Sequence, residues 1–196
     1  MIGSTKTRSL LIGCLGAALM VGATATAATD NVVPPPVPDN LEVPPGHKAI
    51  MMAHAVGTQN YICLGAGQPW TFIGPQATVF DENGEQLLTH FLSPNPAEGG
   101  VARANWQHSK DTSIVWALAI ASSTDPDYVA PGAVPWLLLQ TVGTHEGPNG
   151  GDKMTVTAYI HRVNTAGGPA PQGTCPALGT RAFVPYEADY VFYKEK

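Results

Sequence analysis

Between Val134 and Pro171 two stretches of this chain restrict what the rest can fold into. Val134–Val142 is a nearly unbroken apolar run, long enough for a strand buried on both faces. Met154–Thr165 alternates instead. Met154, Val156, Ala158 and Ile160 fall on one side, and Thr155, Thr157, Tyr159 and His161 on the other. A segment crowded with Gly, Pro and Asn separates them, too irregular for a two-residue turn but able to join antiparallel neighbours. This pair predicts the middle of an all-β domain.

The flanking chain repeats the pattern in shorter units. Lys48–Ala55 reads as a first strand, with Gly57 turning the chain into Gln59–Cys63. Trp70–Ile73 and Ala77–Phe80 are strands divided by the turn signal Gly74-Pro75. Asp81-Glu82-Asn83-Gly84 carries a hairpin signature, and Gln86–Leu92 returns as its partner. Arg103–His108, Ser113–Ala121 and Ala188–Tyr193 complete a set of about nine or ten short strands. Outside the leader no stretch keeps a helical period. These spacings predict a single antiparallel β-sandwich or jelly roll with long loops.

Three segments follow. Residues 1–27 read as a signal peptide: Lys6 and Arg8 precede the apolar run Leu10–Val21, and Ala25-Thr26-Ala27 offers a cleavage site near Ala27. That run is too short to span a bilayer. Residues 28–46 are rich in Pro and carry no periodic apolar face, which predicts an extended spacer. The domain occupies 47–196. The expected location is secreted or periplasmic, with no membrane span in the mature chain.

Charge narrows the partners. The whole chain carries 10 basic and 15 acidic residues. Removing Lys6 and Arg8 with the leader leaves 8 against 15, a formal charge of −7. No basic stripe appears, so nucleic acid is excluded as a partner. A cell-surface glycan or another small ligand remains. Cys14 goes with the leader, and Cys63 and Cys175 remain as an even pair expected to bridge in an oxidising compartment.

Several phrases taken together resemble a known family. They are GTQNYIC at Gly57–Cys63, GPQATVFDENG at Gly74–Gly84 and VPWLLL at Val134–Leu139. YIHRVNTAGGPAPQGTC at Tyr159–Cys175 and VPYEADYVFY at Val184–Tyr193 follow in order. The chain resembles the secreted bacterial and fungal family called domain of unknown function 3455, over about Ala49–Tyr193. The resemblance implies export and a β-rich fold, and no activity. This chain has Asp111-Thr112-Ser113 where the family tends to read Asp-Gly-Ser, so a turn needing positive φ is expected to differ here. It also has His161 where the family tends to carry Gln, which argues against His161 as a shared catalytic group. Fungal relatives are sometimes labelled malate dehydrogenases. The residues oppose that label, since there is no GxGxxG, no βαβ alternation and no helix to hold a pyrophosphate. No cofactor is called for.

No catalytic signature stands out. The six histidines are scattered over six segments without HxH or HExxH spacing, so no local metal site is predicted. A metal-dependent enzyme would require them to converge in three dimensions. Ser113 and Ser109 lie near His108 and Asp111, but neighbouring strand positions face opposite ways and rarely build a triad. The candidate ligand-binding residues are therefore aromatic or loop-borne. Trp106 and Tyr128 border polar loops where rings can stack on sugars. His145, Glu146 and Asp152 form the densest polar cluster. Trp116 and Trp136 read as core. Arg162, with Asn164 beside it, is expected half-buried and paired with Asp189 or Glu187 in a structural salt bridge. The expected role is a non-catalytic binding or surface-associated domain.

Overall fold

The computed structural model describes residues 32–196 together with Met1 and Gly3. Residues 4–31 lie outside the described residues, and with them the leader, Cys14 and the expected cleavage near Ala27. Among the described residues eight strands follow one another: β1 (His47–Cys63), β2 (Trp70–Phe80), β3 (Gln86–Asn95), β4 (Val101–His108), β5 (Ile114–Ser123), β6 (Trp136–His145), β7 (Tyr159–Gly167) and β8 (Arg181–Glu195). Each pairs antiparallel with its sequence neighbours, and β8 returns to pair with β1, closing a barrel.

This corrects the expected sandwich or jelly roll. Both architectures alternate inward and outward residues, but a jelly roll needs long crossovers between sheets. Here every connection joins adjacent strands, so one sheet curls round until its first and last members meet. The strand count drops as well, because two expected turns lie inside strands. Gly57 sits within β1, where a Cβ would lie 2.2 Å from the Gln76 carbonyl oxygen and 2.5 Å from the Ala77 Cα. The residue is glycine because β2 crosses it closely, not because the chain turns. Gly74 has φ +125° inside β2, beside the register shift at Asn60/Tyr61. Gly-Pro there bends a continuous strand.

Inside the barrel, small residues (Ala53, Ala55, Ala77, Ala117, Ala188) face large ones (Trp106, Tyr186, Tyr190, Phe192). Eight strands leave an interior that side chains just fill, or that holds one small ligand. One end is plugged. The connection from β6 to β7 folds back and seats Met154 in the interior core, its N–H donating to Ser113 Oγ at 3.0 Å.

A second apolar cluster lies outside the wall. Trp136, Leu138, Val163, Val191 and Tyr193 point outward from β6, β7 and β8 and are covered by Leu41 and Val129. Leu41 sits in a short 3-10 turn, Asp39–Leu41, and is fully buried. Residues 32–46, within the expected spacer, thus lie against the barrel as a strap. His161 holds it: Nε2 donates to the Leu41 carbonyl at 2.7 Å, and Nδ1 accepts from the Tyr193 hydroxyl at 3.0 Å. Burial lowers the His161 pKa, consistent with a neutral ring.

Candidate functional site

At the end of the barrel opposite Met154 the interior opens into a cavity of about 220 Å³. Most of its wall is apolar, from residues such as Leu92, Ala104, Ala117, Leu137 and Leu139. Its polar groups are few and come from five strands: Gln59, His90, Arg103, Arg162 and Tyr190.

Arg162 reaches the interior by strand parity. Ile160 belongs to the interior core, and Arg162, two residues on, lies between Leu137 of β6 and Tyr190 of β8 in the register. Its Nε and Nη2 donate to the Pro135 carbonyl at 3.2 and 2.8 Å. No carboxylate pairs with it among the described residues. The other arginine on the cavity wall, Arg103, is bound to Glu98 through two bonds of 2.8 and 2.7 Å. That pair, with Asn95 donating to the same carboxylate, holds Glu98 down to about 2. Among the described residues no Asp or Glu lines the cavity. Arg162 therefore leaves it with an unneutralised positive charge.

His90 stacks on Trp106 with ring centroids 4.3 Å apart and planes 11° from parallel. Its Nδ1 donates to the Asn105 carbonyl at 2.8 Å, which makes Nε2 the unprotonated nitrogen. Burial, opposed by the Asn105 carbonyl and reinforced by Arg162, pushes His90 down to about 3. Burial likewise raises Tyr186 and Tyr190, whose hydroxyls lie 3.3 Å apart, so both stay protonated. The buried Gln59 Nε2 and Trp106 Nε1 have no hydrogen-bond partner among the described residues.

Of the sequence-derived ligand candidates Trp106 lines this cavity, whereas Tyr128, His145, Glu146 and Asp152 lie elsewhere. Trp106 is 1% exposed and forms part of the interior wall, because β4 turns its ring inward despite the polar loop beside it. The surface-stacking expectation for it is corrected. Tyr128 is on the outside, edge-on to Trp136 at 5.8 Å. Trp116 and Trp136 are buried, as expected. His145, Glu146 and Asp152 are exposed at the plugged end, away from the cavity. Their loop is instead built around Asp111. Oδ1 accepts from the Ser113 N–H and Oγ at 3.0 and 2.7 Å, and Oδ2 from the Lys153 N–H at 2.9 Å. Burial opposes these bonds, yet they hold the Asp111 pKa below its usual value. The Ser113 hydroxyl thus serves Asp111 and not His108, whose Nδ1 accepts from the Lys110 and Asp111 N–H groups. That arrangement is a turn scaffold and not a triad. Thr112 keeps φ +60°, so the left-handed turn survives without glycine, against the expected difference.

The expected ion pair of Arg162 with Asp189 or Glu187 is also corrected. Asp189 stands opposite Val163 and His54, on the outer face. There it accepts from Asn164 Nδ2 at 2.8 Å and contacts His54 Nδ1 at 2.8 Å. The histidines occupy separate places, and among the described residues no three His, Cys, Asp or Glu side chains assemble a metal site. Cys63 and Cys175 form the disulfide, with Cα atoms 5.5 Å apart. It stitches the β1–β2 and β7–β8 loops together at the cavity end, where Gly67 N–H also donates to the Cys175 carbonyl and Cys175 N–H to Gln68.

Sequence reasoning missed Gln59 and His90. The available signal was polarity on an apolar face: Gln59 shares parity with Ala53 and Ala55, and His90 with Leu88 and Leu92.

A family model described as Protein of unknown function (DUF3455) matches residues 44–194. No curated protein and no solved structure matches the chain.

Proposed function

We propose, for a chain that belongs to the DUF3455 family of proteins of unknown function, that the barrel is a non-catalytic binding domain holding one small, largely apolar ligand in its open end. The cavity carries this reading. It is concave, mostly apolar and furnished with a few convergent polar groups, the usual make-up of a ligand site. At about 30 Å³ per water, 220 Å³ has the capacity of about seven waters, which suits a small organic molecule.

Its chemistry favours binding over catalysis. A general base needs a pKa near the working pH. His90 is held neutral far below that range, and the two buried tyrosines stay protonated. None of these groups exchanges a proton readily near neutrality. The dehydrogenase label gains no support, since among the described residues the helices are three-residue 3-10 turns and the strand pairings are all antiparallel. Export completes the proposal, supported by the disulfide, which belongs to an oxidising compartment, and by the leader-like sequence of residues 1–27. Among the described residues no helix is long and apolar enough to cross a membrane.

The test is thermal denaturation of the protein with octanoate, octanol, benzoate and indole, beside an Ala104→Phe variant that fills the cavity. Saturable rises in Tm that vanish in the variant are expected. A panel that leaves the wild-type Tm unmoved overturns the reading.

A further inference from the structure

We infer that the cavity selects an amphipathic anion, a small molecule with one carboxylate and an apolar body, whose carboxylate is anchored by Arg162. The inference rests on the cavity reading above and deepens it.

Three independent observations point the same way. The first is charge. Arg162 contributes a permanent positive charge to a wall with no acidic residue among the described residues, and the second arginine there is already neutralised by Glu98. A guanidinium carries five N–H donors in a planar fork. Two of Arg162's are committed to the single Pro135 carbonyl, which fixes the head without cancelling its charge.

The second is the sign of the unmet hydrogen bonds. Two residues that line the cavity, Gln59 and Trp106, each carry a buried N–H donor, Nε2 and Nε1, without a hydrogen-bond partner among the described residues. A buried donor left unpaired is costly, so the site is complementary to an acceptor. A carboxylate supplies acceptors only, whereas an alcohol or amide must also place a donor of its own.

The third is the rim. Phe72 and Leu118 line the cavity and are 47% and 40% exposed. Large apolar side chains left open at the mouth suit a ligand whose body is hydrocarbon and leads outward from the charged head. A phosphorylated sugar, polar throughout, would leave that rim and the Leu137 and Leu139 wall uncompensated.

Calorimetric titration of the full chain with octanoate, octanol and octanamide tests this, in wild type, Arg162→Met, Arg162→Lys and Ala104→Phe. The expected result is that octanoate binds wild type about ten- to hundredfold more tightly than octanol or octanamide, the range of a charge-assisted bond. Arg162→Met should remove that preference while retaining weak octanol binding, and Arg162→Lys should keep part of it. Raising the pH from 6 to 8 should leave octanoate binding unchanged. Equal affinity for octanoate and octanol in wild type, a comparison that needs no variant, overturns the anion inference and leaves the cavity reading standing. Octanoate binding that Ala104→Phe does not impair overturns the placement of the anion in the barrel. Failure of all three probes to bind overturns both.

Discussion

Replacing Cys63 and Cys175 together by alanine should be the most damaging change at the cavity end that leaves its lining intact. The bridge joins positions 112 residues apart, and both sulfurs are buried. In the chain-entropy account, closing a loop of that length removes about 16 cal/mol/K from the unfolded chain, or about 4.8 kcal/mol at room temperature. Measured bridges deliver roughly 2–5 kcal/mol. For a domain of this size 1 kcal/mol moves Tm by roughly 2–4 °C, so the double variant should melt roughly 4–20 °C lower. Alanine is preferred to serine because it leaves no buried hydroxyl unpaired. Differential scanning calorimetry at one scan rate gives the shift, and denaturant unfolding gives the free energy. Local effects should accompany the global one. Without the bridge, the loops 64–69 and 168–180 keep only backbone bonds such as Gly179 N–H to Cys63 O, so limited proteolysis should cut there first. A Tm loss below about 3 °C would refute the reasoning, since the constraint on the unfolded chain would then contribute little.

Three further outcomes follow from particular residues. Thr112→Gly should stabilise by about 0.5–1 kcal/mol, because relief at φ +60° outweighs the added chain entropy; urea midpoints measure it, and a loss of stability refutes it. Leu41→Ala, at a fully buried position, should cost about 2–4 kcal/mol unless the strap peels away first. Protease sensitivity in 32–46 distinguishes the two, and a variant unchanged in both measurements would refute the anchoring role. Acid should weaken the fold through His90, which faces Arg162, Tyr190 and Trp106. Its folded pKa, about 3, lies below the unfolded value, so the unfolded chain binds the extra proton first. Its contribution is complete above about pH 6.5 and falls by about 1.4 kcal/mol per pH unit as pH drops toward 3. His90→Phe should flatten that slope in urea titrations between pH 7.5 and 4.5, and an unaltered slope would refute the assignment.

Much of the wall was legible in the sequence, because alternation is a local property. The Asp81–Gly84 hairpin and β3, β4 and β5 lie within a few residues of where the pattern put them. Arg162's inward direction followed from its parity with Ile160. The misreadings share one physical cause, that the deciding contact is distant in sequence. Gly57 looked like a turn because the strand that requires it glycine is β2, and the barrel looked like a sandwich because closure depends on β8 meeting β1. The sequence points Arg162 to the wrong partner because Asp189 is one residue out of phase with Tyr190, and so stands on the other side of the wall. The cavity groups carry no motif, and only their misplacement on an apolar face marks them.

The seam between the first and last strands has a kinetic consequence. β1 runs beside β8 from His47 opposite Glu195 to Ile62 opposite Arg181, so the longest pairing joins the two ends of the domain. Chain closure between such remote segments is slow, which places folding in the millisecond-to-second class of all-β domains. A nascent chain must therefore carry β1 with one naked edge until the final strand emerges, and over that interval the unfinished sheet is a template for any other extended polypeptide nearby.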